Sequence, residues 1–147
     1  MKNIVVCVNT DKKSFESLRR VEEYVQLSSA NITLVHIWNK KAYDYPGDMI
    51  VAFYPNEDQA KDIAKEMDKQ LRDQLPKFSG LPQDKFRTHI LSTSNAKDDV
   101  VELLKKEKAD LVICLTPEKS VVKNFFHSSF TNYLSAHAPC DVLALRI

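Results

Sequence analysis

Glycine is almost missing from this chain of 147 residues: Gly47 and Gly80 are the only two. Average usage of about 7% would supply roughly ten. Glycine lets a backbone close around phosphate oxygens because it has no Cβ to hold them off. Two glycines this far apart leave no room for a Walker A loop, a Rossmann dinucleotide fingerprint, a kinase glycine loop or a G-x-S-x-G elbow. A basic excess is missing too. Lys and Arg number 21 against 20 Asp and Glu, a net charge of +1, which excludes a bulk electrostatic nucleic-acid binder. Long apolar runs are also lacking: none approaches the roughly 18 residues of a membrane helix. Ile4 to Val8 is stopped at once by Asn9, Thr10 and Asp11, too early for a secretory signal. The expectation is a cytoplasmic protein with neither a membrane nor a nucleic acid as partner. Cysteine is scarce and odd in number, at Cys7, Cys114 and Cys140. With no C-x-x-C there is no zinc knuckle and no thioredoxin motif. These residues read as small hydrophobes in a reducing compartment.

What the chain does have is alternation of strand and helix signals. Ile4-Val5-Val6-Cys7-Val8 is a β-branched run suited to a strand buried on both faces. Ser14 caps a helix with Glu16 in its first turn, and Phe15, Leu18, Val21 and Val25 share one face. Ser28 to Asn31 ends that helix, and Ile32 to Trp38 is the second strand. Residues 39–55, with Tyr43, Tyr45, Phe53 and Tyr54, show no period. They are expected to roof the sheet edge, or else to form a partner surface or a lid. Asn56 caps the strongest helix, striped by Ala60, Ile63, Ala64, Met67, Leu71 and Leu75. Glu57–Lys61 and Asp68–Arg72 are predicted as outer ion pairs, and Pro76 as the stop. Phe86 to Leu91 alternates as a half-exposed strand. Ser94 or Asn95 caps a third helix with Ala96, Val100, Leu103 and Leu104 inward. Leu111 to Leu115 is a buried strand. Phe126, Phe130, Tyr133, Leu134 and His137 mark a fourth helix ended by Pro139, and Asp141 to Ile147 is the last strand.

Strands and helices in strict alternation give a parallel sheet covered on both faces, in one domain over residues 1–147. The first and fourth strands are the most apolar and belong in the centre, which predicts the order 3-2-1-4-5. The third strand, with Arg87, Thr88 and His89, suits an edge. Ligands of such sheets bind where the strand order reverses, at the carboxyl ends of the first and fourth strands. There the sequence offers Asn9 to Lys13 and Thr116 to Ser120, polar but unspecialised. Asp11 alone is no acidic cluster and reads as an aid to starting the first helix. The histidines do not assemble. His36 reads as a satisfied core histidine and His137 as a helix C-terminal residue. His127 and His137 lie ten residues apart, roughly 15 Å along a helix, and share no metal. No triad is visible, so no catalytic residue and no metal site is expected.

The C-terminal third carries a resemblance. Ala109-Asp110-Leu111-Val112, then Ser129, Tyr133 and His137-Ala138-Pro139-Cys140-Asp141-Val142-Leu143, is similar to the universal stress protein family. The strands at Ile4 to Val8 and Ile32 to Ile37 resemble that family's first two, and the element order agrees over the whole chain. The resemblance implies an α/β, flavodoxin/Rossmann-like three-layer sandwich that forms homodimers. Family members that bind ATP carry G-x-x-G-x9-G-[ST] after the fourth strand. Those three glycines fall here on Leu115, Glu118 and Ser128, with only the final hydroxyl kept, as Ser129. The family's adenine-side Asp falls on Asn9. The candidate vestigial nucleotide site is therefore Asn9, Thr10, Asp11, Ile37, Leu115, Thr116, Glu118, Ser128 and Ser129.

The physical consequences oppose a triphosphate. Leu115 is expected to bring a branched side chain toward sugar and phosphates. Glu118 would add a like charge, costing about 1 kcal/mol or more at ~4 Å depending on the local dielectric. Ser129 at a helix N-terminus remains anion-friendly, with Lys119, Lys123 and His127 to compensate, although a hydroxyl there also serves as a plain cap. The chain looks like the subclass that does not bind ATP, and no cofactor is expected. Its last strand, with Val142, Leu143, Ala144 and Leu145, would be an open apolar edge, where two-fold pairing with a second copy satisfies it. The leading expectation is a non-catalytic stress-response protein, a homodimer acting through protein partners. The alternative is an ATP- or AMP-binding stress sensor with a degenerate glycine motif, and a weaker third is slow ATP hydrolysis.

Overall fold

The computed structural model describes residues 2–8, 12–39, 56–78, 83–116 and 128–146. Five parallel strands form one sheet: β1 (Lys2–Cys7), β2 (Ala30–Asn39), β3 (Phe86–Thr93), β4 (Leu111–Thr116) and β5 (Asp141–Arg146), in the order β3-β2-β1-β4-β5. Four helices connect them: α1 (Lys12–Tyr24), α2 (Glu57–Phe78), α3 (Ala96–Lys106) and α4 (Ser128–His137). The strand order and the three-layer architecture are those the sequence predicts.

Side-chain alternation along the central strands divides the core in two. Ile4, Val6 and Val8 of the β1 run pack on one face with Leu18 and Val21 of α1 and Leu71 of α2. Val5 and Cys7 face the other way, against Val100, Val101, Leu103 and Leu104 of α3 and Phe130 and Leu134 of α4. Strand β4 repeats the pattern, with Ile113 and Leu115 toward α1 and α2, and Val112 and Cys114 toward α3 and α4. A run buried on both faces must be apolar at every position, which is why β1 and β4 are unbroken and sit in the centre.

Local differences from the sequence reading have physical causes. Ser14 is not a cap. It is the third residue of α1, fully buried, because the helix begins two residues earlier at Lys12. Ala30 and Asn31 already belong to β2, extending it by pairing with Lys2 and Asn3. Asn56 does cap α2, and reciprocally. Its Oδ1 accepts from the Gln59 N–H at 2.9 Å, while its own N–H donates to Gln59 Oε1 at 3.0 Å. Pro76 does not stop α2, which continues to Phe78. So near the end, the proline removes only its own N–H bond from the ladder. Of the α2 stripe, Leu71 is fully buried and Ala60, Ile63, Ala64 and Met67 are half-buried. The Asp68–Arg72 pair forms at 2.9 Å, and Glu57–Lys61 is not among the ion pairs of the described residues. Asn95 precedes α3 without a side-chain cap bond to the backbone. Its amide instead donates to Asp98 Oδ2 at 2.6 Å. Residues 40–55, Phe126 and His127 lie outside the described residues, as do the side chains of Phe15 and Leu75.

Scarce glycine shows at the end of α3. Lys108 adopts φ 48°, the left-handed conformation that glycine usually takes after a helix. The Ala109 N–H reaches back to the Leu104 carbonyl at 3.0 Å and the Lys108 N–H to the Lys105 carbonyl at 3.1 Å. This is a Schellman closure made by a lysine. Asn3 locks it to the sheet. Its Nδ2 donates to the carbonyls of Glu107 and Lys108, its backbone N–H donates to Asp110 Oδ2 at 2.8 Å, and Asp110 N–H returns to the Asn3 carbonyl at 2.8 Å.

Candidate functional site

The strand order reverses between β1 and β4, so the crevice of this sheet opens beyond Val8 and Thr116. Its floor is built from the last paired residues. Cys7 and Cys114 face each other in register, both wholly buried. Burial and a hydrogen bond shared with Cys114 both act on the Cys7 thiol. That bond is the largest influence, and the thiol is pushed well above its ordinary value. The floor is therefore uncharged and apolar.

Two contacts fix the exit of β1 into the crevice. The Val8 N–H donates to the Val35 carbonyl at 2.9 Å. His36 places Nδ1 at 3.0 Å from the Val8 carbonyl while only 9% exposed. The sequence reads His36 as a satisfied core histidine, and it is one. The structure adds that it holds the carbonyl of Val8, the residue that follows β1 at the crevice. A carbonyl partner requires Nδ1 to carry the proton.

Leu115 stands at the β4 side of the crevice, and its placement revises the expectation about its side chain. Rather than projecting toward a ligand, the side chain is 1% exposed and packs in the core with Ile113 and Leu145. Its backbone is a regular strand residue, paired in register with Leu145, and Thr116 continues the strand opposite Arg146. Ile37 is likewise core, 2% exposed and opposite Leu91 on β3. Ser128 and Ser129 form the first turn of α4. Asn9, Thr10, Asp11 and Glu118 lie outside the described residues, as do the side chains of Thr116, Ser128 and Ser129.

The structure also joins residues that the sequence reading left apart. Tyr133 of α4 donates its hydroxyl to Asp98 of α3, which also accepts from Asn95. The Tyr133 bond is the largest influence lowering the Asp98 carboxyl below its ordinary value, and the same bond raises the Tyr133 phenol. His137 stacks on the Tyr133 ring at 4.1 Å and sets Nδ1 at 2.9 Å from the Tyr133 carbonyl, with Lys97 Nζ 5.6 Å from the ring centre. His137 thus sits at the helix C-terminus as expected. The spacing of Tyr133 and His137 at i, i+4 is legible in sequence, but their junction with α3 is not. Among the described residues, no group of three or more His, Cys, Asp or Glu is placed to hold a metal ion. No helix among them is long and apolar enough to cross a membrane.

At the other side of the sheet, β5 has no neighbour beyond β4 among the described residues. Val142 and Leu143 are half-buried, Ala144 is exposed and Leu145 is buried. The four residues expected to form a dimer edge therefore do lie on an edge strand.

Comparison with solved structures places the fold. Universal stress protein UspA from Lactobacillus plantarum is 21% identical, with 99% of this chain and 97% of that one covered and a TM-score of 0.63. The universal stress protein from Archaeoglobus fulgidus in complex with dAMP is 15% identical, with coverage of 98% and 97% and a TM-score of 0.55. A universal stress protein family protein from Arabidopsis thaliana with AMP bound is 12% identical, with coverage of 99% and 92% and a TM-score of 0.54. A comparison with curated protein sequences finds no significant match. The family model described as "Universal stress protein family" matches residues 1–146, and with that match, the strand order and the reversal crevice in agreement, the chain belongs to the universal stress protein family.

Proposed function

We propose that this protein is a universal stress protein of the kind that does not hold ATP, a cytoplasmic homodimer that acts through protein partners and catalyses no reaction. One observation carries the reading. The first of the three positions where ATP-binding relatives have glycine is Leu115, whose side chain is a core residue and whose backbone is committed to pairing with Leu145. A phosphate-cradling turn needs backbone N–H groups turned outward and no Cβ in the way. A strand residue that bonds its neighbour and fills the core supplies neither. Glu118 and Ser128 at the other two positions extend the mismatch. The open edge at Val142, Leu143, Ala144 and Leu145 supports two-fold pairing of β5, which removes an exposed strand edge from solvent.

A second reading has its own support. Relatives of the same fold are described with dAMP and with AMP, and a monophosphate asks less of a phosphate cradle than ATP does. In that case the protein is a nucleotide-binding stress sensor. Slow ATP hydrolysis would require such a site first, and turnover lost on Ser129→Ala would be its mark. The test is to denature the purified protein and search the soluble fraction for nucleotide by chromatography. The proposal expects none, and a near-stoichiometric amount of AMP or ATP overturns it. Light scattering tests the dimer, and a monomer at high concentration contradicts the β5 pairing.

A further inference from the structure

The edge of the sheet away from β5 is the longer one. Strand β3 runs eight residues, Phe86–Thr93, and among the described residues it pairs only with β2. Alternate N–H and C=O groups of such a strand point away from the sheet. Natural edges are blunted by brevity, proline, bulges or inward charge. Among the described residues β3 has no proline, and its pairing with β2 is unbroken in register from Phe86 to Thr93. Arg87 is engaged on the α3 side, 3.2 Å from Glu107.

Beside this edge, toward α2, lies an open groove of about 470 Å³. Its floor is the half-buried pair Thr88 and Ile90, with Ala64 across from them. Its walls carry Lys61, Lys65, Arg72 and His89, and one acid, Asp68. That acid is already satisfied. Thr88 donates its hydroxyl to Asp68 Oδ1, and Arg72 holds Oδ2 at 2.9 Å. Lys61 and Lys65 are exposed, have no ion pair among the described residues, and stand one helical turn apart on the groove side of α2. The groove thus combines an unpaired strand edge, a small apolar floor and a one-sided excess of positive charge.

We propose that the α2–β3 groove receives an extended, acidic segment of a partner protein, which adds to β3 as a sixth strand. Main-chain bonds to β3 would supply affinity, and alternate side chains would supply specificity. The acidic set of alternate side chains would share the α2 face with Thr88 and Ile90 and reach Lys61 and Lys65, and the other set would point to the opposite face of the sheet. This rests on the reading that the protein works through protein partners, and it names where one of them docks and with what chemistry.

The probe is a fluorescent peptide of alternating Val and Asp, with an alternating Val and Lys peptide as control, followed by anisotropy on the full chain. The acidic peptide is expected to bind with a salt-sensitive affinity, and the basic one not. Lys61→Glu with Lys65→Glu is expected to weaken binding about tenfold or more, while Lys69→Glu, also on α2 but outside the groove, leaves it unchanged. Should the double reversal unsettle the helix, Lys61→Gln with Lys65→Gln reads the same loss. Amide hydrogen exchange must slow along β3 on binding. Equal binding of both peptides, no binding at all, or slowed exchange along β5 in place of β3 overturns the proposal. None of these results bears on whether nucleotide is bound, so failure here is distinct from failure of the wider reading.

Discussion

Cys7 and Cys114 lie side by side in register on the two central strands, each fully buried, although 107 positions of sequence separate the facing strands at Asn3 and Asp110. The pair sits under the reversal crevice and gives it a buried floor.

Thiol reactivity follows from that placement. The thiolate is the reactive form, and both burial and a raised thiol value suppress it. Cys140 is only half-buried, although burial, and secondarily Asp141, raise its thiol too. An aromatic disulfide reagent at neutral pH is expected to modify one thiol per chain slowly, and three after denaturation. Cys140→Ser should abolish the native-state reaction, and fast modification of two or more thiols would contradict the burial.

The left-handed lysine predicts a stabilising change. A Cβ at φ 48° costs about 1–2 kcal/mol that glycine does not pay. Lys108→Gly is expected to stabilise the fold by about 0.5–1 kcal/mol, net of glycine's greater freedom when unfolded. Chemical denaturation measures it through a higher midpoint at unchanged slope.

The Thr88–Asp68 bond predicts a pH effect. Burial pushes the Asp68 carboxyl up, but the hydrogen bonds from Thr88 and Arg72 and the Arg72 charge outweigh it, and the carboxyl ends below its ordinary value of 3.8. A carboxyl depressed in the folded state adds stability above its unfolded value and loses it as pH falls through the folded one. Thr88→Val should raise the Asp68 carboxyl, seen by carbon NMR titration. It should also make melting temperature less sensitive to pH below about 4.

Leu115 predicts a conflict between core and ligand. Leu115→Gly removes a fully buried side chain and adds backbone freedom within a strand, for a loss of about 3–6 kcal/mol. Glu118→Gly with Ser128→Gly leaves that core residue in place. Neither change alone is expected to create ATP binding.

The sequence made the layers legible because burial on both faces leaves a signature at every position of Ile4 to Val8 and Leu111 to Leu115. The edge character of β3 was legible in Arg87, Thr88 and His89. Where the sequence misled, a local rule met a tertiary override. Ser14 has a capping residue's chemistry but is drawn into the core with Ser17 and Leu18, and Pro76 sits too near a helix end to break it. The side chain of Leu115 could not be placed from spacing alone, since a one-residue change of register moves it from crevice to core. The meeting of Asp98 with Tyr133, and of Cys7 with Cys114, depends on crossovers between distant strands and helices, which spacing does not encode.

Thermal melting with ATP and with AMP reads directly whether the folded chain holds a nucleotide. A ligand at about a hundred times its dissociation constant adds about 2.7 kcal/mol to folding stability, which for a chain of this length raises the midpoint by about 5–10 °C. Millimolar ATP is expected to leave the midpoint unchanged within error, and a saturable rise with either nucleotide would show that the chain binds it.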